Sequence, residues 1–318
     1  MMINLSRVQR NRLIFIGRLM ASVGLMAYIV SLSSIDEWKY LINNISSSWV
    51  FLGFLLTTGS LCLGGINLYL FYWAPRRGQV GKAQFFKAFF VSQSLSLWLP
   101  GKLGDLTISH MLQRSIPLSD SLLYVIMDKL ISFFATLFCA VIGFILYGNY
   151  GTDWFLLFVI FVVLCFSVFI SFNTRVHEFI VDRFRGRLKE KIEQVLKTLM
   201  YFKHHNRRIV LVNLIISFVR LAAATYALLF LLRGVQSDVP FTPVFFTTSV
   251  AFLSSLIPLT VQGIGVSEGI CIFFLGPFGV GTAEIIFCGV AGRLINIVGI
   301  FLMHSFFEGK KIESFSAG

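Results

Sequence analysis

Residues 99–105, LPGKLGD, and residues 258–268, PLTVQGIGVSE, interrupt strongly apolar stretches, and each ends on an acid. Proline and glycine break helices and free backbone N–H and C=O groups. At membrane depth such groups survive only where they are buried in protein or face water. Each break is therefore a candidate site, and apolar runs that stop there and turn back set the fold class.

Outward from the breaks, the chain stays apolar. Of its 318 residues 56% are hydrophobic and only 13% charged, with a mean hydropathy of +0.81, far above a soluble domain of average composition. The expected class is all-α integral membrane, with about six transmembrane helices plus two re-entrant helical hairpins in an inverted repeat. Runs at 13–32, 49–73, 119–147, 154–172, 209–232 and 282–307 are long enough to span. Runs at 85–99 and 242–259 stop at the breaks and read as half-helices. Two full spans in their place would need unbroken helix through Pro100 and Gly101. The first run follows Arg7, Arg10 and Arg12 as a signal peptide would, but it is long enough to span and no small-x-small cleavage site follows. A retained helix is expected, and spans and short loops leave no room within these residues for a soluble catalytic domain. The five cysteines all fall in apolar runs and read as small hydrophobes, not a disulfide framework.

Basic residues test this layout, because cytoplasmic loops collect Lys and Arg. With the N-terminus inside, the inner segments hold 20 basic residues and the outer ones only Lys39 and Arg233. That bias accounts for the net charge of +12 without a nucleic-acid partner. It places the N- and C-termini in the cytoplasm of a multi-pass membrane protein. The whole chain, 1–318, reads as one polytopic membrane domain, with inverted repeats at about 10–150 and 151–308. Lys129 and Arg293 stand at like places in the two halves, 12 residues after Pro117 and Gly281. Residues 174–206 mix apolar positions at helical spacing with many Lys and Arg, as a cytoplasmic interfacial helix does.

Arg18, Lys102, Asp105, Asp128, Lys129, Arg220, Glu268 and Arg293 all fall in spans or breaks. A charge at mid-membrane costs about 2.5–3.5 kcal/mol, so eight unpaired ones would cost on the order of 20 kcal/mol. They must be paired, wet or snorkelling. Arg18 and Arg220 lie towards basic helix ends and are expected to snorkel. Asp128 and Lys129 point about 100° apart on a helix and each needs a partner elsewhere. The first break offers Lys102 and Asp105, and the second offers Glu268 to Arg293. One account makes these ion pairs that pin the hairpins, with Asp105 and Glu268 capping the returning helices. The other makes them a phosphate site. In that site Gly101, Gly104, Gly263 and Gly265 let the backbone approach a ligand, and Lys102, Lys129 and Arg293 supply charge.

No phosphate-binding Gly-rich Lys-Ser/Thr loop, His-Glu-x-x-His, Gly-x-Ser-x-Gly or paired-Cys motif occurs. His204 and His205 have no other metal ligands nearby. The chain is thus expected to have no catalytic residues, metal or cofactor, and not to be an enzyme.

LPGKLGD at 99–105, MDKLIS at 127–132, IPLTVQGIGVSE at 257–268 and AGRL at 291–294 resemble the lysylphosphatidylglycerol synthase transmembrane, or flippase-like, family. The resemblance runs over about 10–307. Family members more often carry Pro-Gly-Arg-x-Gly-Glu in the first loop and Glu-Arg-x-x-Asp in the next helix. Here Lys102, Asp105, Asp128 and Lys129 keep charge with altered size, and Ser132 replaces an acid. Founding members add a soluble aminoacyl-transferase domain, which these residues do not contain. The resemblance therefore implies lipid translocation or handling, not lysylphosphatidylglycerol synthesis. The expected function is transport of an anionic membrane lipid, a phospholipid or a polyprenyl-phosphate-linked glycan. In it Lys102, Lys129 and Arg293 hold the phosphate, and Asp105, Asp128 and Glu268 serve as counter-ions and proton carriers. The alternative is a non-transporting partner that docks a membrane-associated glycosyltransferase or lipid synthase through Arg183, Arg185 and Arg187. A membrane glycosyltransferase is the third reading, against which stands the lack of a large external loop with catalytic acids.

Overall fold

The computed structural model describes residues 7–73, 80–97, 104–147, 193, 207–255, 260 and 263–308. The expected span at 154–172, the interfacial helix at 174–206, His204, His205, Gly101 and Lys102 lie outside the described residues, as does the side chain of Arg18.

The described elements are helices. Four are long and apolar enough to cross a membrane: α3 (Ser47–Trp73), α6 (Leu118–Tyr147), α7 (Arg207–Gly234) and α10 (Thr282–Glu308). At 1.5 Å per residue their 27 to 30 residues reach about 40 Å, more than a hydrocarbon core of about 30 Å. Their outward faces carry large apolar side chains such as Phe138, Leu294 and Phe301, which suits lipid and not water.

The N-terminal run forms α1 (Arg7–Ser31), then turns by 88° into α2 (Ile35–Asn44). The expected spans and half-helices do not include α2. Its start is fixed by Ser34, whose hydroxyl accepts the Glu37 N–H at 3.2 Å, and by Asp36 and Glu37 in the first turn, which complement the helix dipole.

Between the long helices lie the interrupted pairs. α4 (Lys82–Ser96) is followed across the first break by α5 (Thr107–Met111). α8 (Phe241–Ser254) is followed across the second by α9 (Val266–Leu275). The order long, short, short, long thus occurs twice, as α3–α6 and α7–α10.

The packing repeats with it. α3 and α7 form an antiparallel spine, with Gly53 against Leu231 and Gly64 against Arg220. α4 packs on α10 as α8 packs on α6, and α3 on α10 as α7 on α6. Interchanging the two sets of four helices maps these contacts onto themselves.

The apolar core divides in the same way. One cluster joins Phe71, Tyr72, Phe85, Phe90 and Ile108 near the start of α7 and the end of α10. The other joins Leu232, Val244, Leu275 and Ile285 at the end of α7 and the start of α10. The two hairpins are therefore anchored at opposite ends of the bundle.

Candidate functional site

Between the two cores lies a cavity of about 490 Å³. Asp105, Asp128, Lys129, Arg220, Glu268 and Arg293 line it, so both halves contribute both signs of charge. Phe89, Phe133 and Phe252 add apolar wall.

At the first break, Gly104 permits a contact that no other residue could make. A Cβ there would lie 2.2 Å from the backbone N of Ser96, so the returning chain presses against the end of α4. The next residue, Asp105, is buried. Its Oδ1 accepts from Ser96 Oγ at 2.6 Å and Gln93 Nε2 at 2.9 Å, and its Oδ2 lies 2.5 Å from Lys129 Nζ on α6. The expected cap is not what Asp105 provides: α5 begins at Thr107, and Leu106, at the capping position, makes no side-chain cap. The carboxylate turns back to α4 because Ser96 and Gln93 offer two donors there. The Lys129 pairing is as expected.

At the second break, Gly263 and Gly265 have φ of 72° and 84°, values that only glycine adopts readily. The chain then enters α9, where Glu268 Oε2 accepts the Gly265 N–H at 2.8 Å and so caps the helix. Its Oε1 pairs with Arg293 Nη1 on α10. Arg293 Nη2 donates to Ser267 Oγ at 3.0 Å, which fixes the guanidinium plane.

The two halves therefore carry equivalent ion pairs: an acid just past the break, held by a base on the following long helix. Asp128 is placed differently. It is 2% exposed and accepts from Asn213 Nδ2 on α7 at 3.0 Å. Its partner among the described residues is an amide, not a charge.

Arg220 departs from expectation. It sits at the midpoint of the 28-residue α7, about 20 Å from either end, too far to snorkel. Its side chain lines the cavity, and a Cβ on Gly64 would lie 2.9 Å from its Nη2. The mid-span arginine and the Gly64-Gly65 pair were the available sequence signals. Asn67, Asn213 and Gln93 were also missed, since a single polar amide in a span carries no motif.

Among the described residues no group of three or more His, Cys, Asp and Glu side chains is placed to hold a metal. Residues 14–303 match the family described as lysylphosphatidylglycerol synthase TM region. No curated protein matches the chain. With most of its length inside that match and a multi-pass helical bundle to go with it, the chain belongs to the lysylphosphatidylglycerol synthase TM region family, a membrane domain related to lipid handling.

Proposed function

We propose that this protein carries an anionic lipid, a phospholipid or a polyprenyl-phosphate-linked glycan, from one leaflet of the bacterial inner membrane to the other, without chemistry on the lipid. The observation that carries this reading is the shared cavity, where Lys129, Arg220 and Arg293 face one space between two breaks. Its 490 Å³ lies in the range of small-ligand sites and suits a headgroup, with the acyl or prenyl chains left in lipid. Lys129 and Arg293, together with Lys102 of the first break, are assigned to the phosphate, and Arg220 joins them. Asp105 and Glu268 hold two of these bases when no lipid is bound and exchange with the phosphate when it enters.

Hairpins anchored at opposite ends of a bundle with self-mapping contacts support an inverted repeat, the arrangement in which broken helices surround a central site. The charge bias of the loops supports cytoplasmic termini.

The test is scrambling of fluorescent phosphatidylglycerol in proteoliposomes that contain only this protein. Arg293→Ala and Glu268→Gln are each expected to slow it at least tenfold. Wild-type rates in both would remove the site assignment. Absence of lipid movement by the wild type, with function lost on neutralising Arg183, Arg185 and Arg187, would favour a docking partner instead.

A further inference from the structure

We propose that the buried polar seam joining α3, α6 and α7 binds an alkali-metal cation through oxygen ligands, with Asp128 as its charged ligand. Asp128 is 2% exposed, Asn67 and Asn213 are fully buried, and Ser132 and Ser217 are buried with them. Asn213 Nδ2 donates to Asp128 Oδ1 at 3.0 Å and to the backbone carbonyl oxygen of Asn67 at 3.2 Å. Asn67 Nδ2 donates to Ser217 Oγ at 3.1 Å, and Ser217 Oγ lies 3.1 Å from Ser132 Oγ. One network therefore holds all five side chains.

The network is short of donors. Asn67 Oδ1 and Asn213 Oδ1 are buried and accept nothing, and among the described residues no base lies within ion-pair distance of Asp128. Its neighbour Lys129 is held by Asp105. The Asn213 orientation is fixed, because exchanging its N and O would set an oxygen against both Asp128 Oδ1 and the Asn67 backbone oxygen. Buried oxygens without partners call for an ion, a water or a proton, and a buried carboxylate without a counter-charge is costly.

A proton on Asp128 supplies a single O–H and can satisfy only one of the two amide oxygens. A spherical cation is shared by several oxygens at once and neutralises the carboxylate. One carboxylate among neutral oxygens balances a single positive charge, whereas calcium sites bring six to eight oxygen ligands and several carboxylates. Soft metals would want nitrogen or sulfur. Asp128 also lines the cavity, so the bound cation sits beside the anion site. Its purpose rests on the lipid-transport reading: a cation gradient would then drive or bias lipid movement.

The test is sodium binding by the purified full-length protein in detergent, which needs no lipid transport. Sodium chloride, titrated against choline chloride at constant ionic strength and pH, is expected to raise the unfolding temperature saturably by several degrees. Asp128→Asn keeps the side-chain volume and is expected to abolish the rise, and Asn213→Ala to weaken it. In parallel, radiolabelled sodium should bind the wild type and be displaced by unlabelled sodium but not by choline. Equal stabilisation by choline, a sodium response retained in Asp128→Asn, or stability that follows pH alone would overturn the proposal. Any of these would leave the lipid-scrambling result untouched, and loss of scrambling would leave sodium binding readable.

Discussion

At the scale of single residues, the site depends on side chains held so tightly that small changes have calculable effects. Gly104 is the clearest case. A methyl group there would overlap the Ser96 backbone, where no flexible side chain can yield. Gly104→Ala should therefore lower stability by about 1–3 kcal/mol, the usual range for forced overpacking. Gly24→Ala, whose added Cβ meets nothing within 4 Å, should change little. Thermal unfolding of the two variants in detergent compares them directly. The Glu268–Arg293 pair makes a second case. Removing either partner strands a buried charge, while removing both relieves it. In a double-mutant cycle with Glu268→Gln and Arg293→Leu, the coupling should be on the order of 1–3 kcal/mol, so that the double variant is more stable than the sum of the singles predicts. Strict additivity in unfolding experiments would show that the two side chains do not act as a pair.

At the scale of elements, what could be read in advance depended on whether a segment's cause lay within itself. The long helices α3, α6, α7 and α10 declare themselves through uninterrupted apolar length, and their expected bounds fall within about two residues of those found. The half-helices α4 and α8 were legible because the breaks that end them are local. α2 was not, because it is short and its apolar side chains, Trp38 and Leu41, acquire meaning only against the second core. Capping was legible only in part. Glu268, the third residue of α9, caps it by reaching back to the Gly265 N–H, but Asp105 is claimed by α4, a choice set by donors brought near in three dimensions. α2 itself offers a test of local control. Ser34→Ala removes the hydroxyl that accepts the Glu37 N–H and should weaken the helix by about 1 kcal/mol. Hydrogen exchange should quicken several-fold at Glu37 and Trp38 while rates in α3 stay unchanged. Equal protection in both proteins would mean that packing of Leu41, not the cap, holds α2 in place.

At the scale of the whole molecule, the sequence carried the charges but not their grouping. Asp105 with Lys129 and Glu268 with Arg293 could be paired from position alone, because each acid lies just before the helix that bears its base. Arg220, Asn67 and Asn213 could not be placed, because their neighbours come from helices distant in sequence, brought together by the α3–α7 spine. Those pairings make a claim about how the bundle is accessed. The core beneath the first hairpin lies near the start of α7, and the core beneath the second near its end. If α7 crosses the bilayer, the two hairpins enter from opposite faces. Single cysteines introduced as Lys102→Cys and Gln262→Cys, in a background with all five native cysteines replaced, should then be modified by a charged, impermeant thiol reagent from opposite sides of oriented vesicles. The first should react from the cytoplasmic face, where basic loops collect, and the second from the outer face. An anionic lipid in excess should slow both reactions together if the breaks border one headgroup site. Modification of both from the same face would instead require that α7 does not span, and the self-mapping contacts would then describe a bundle lying differently in the membrane.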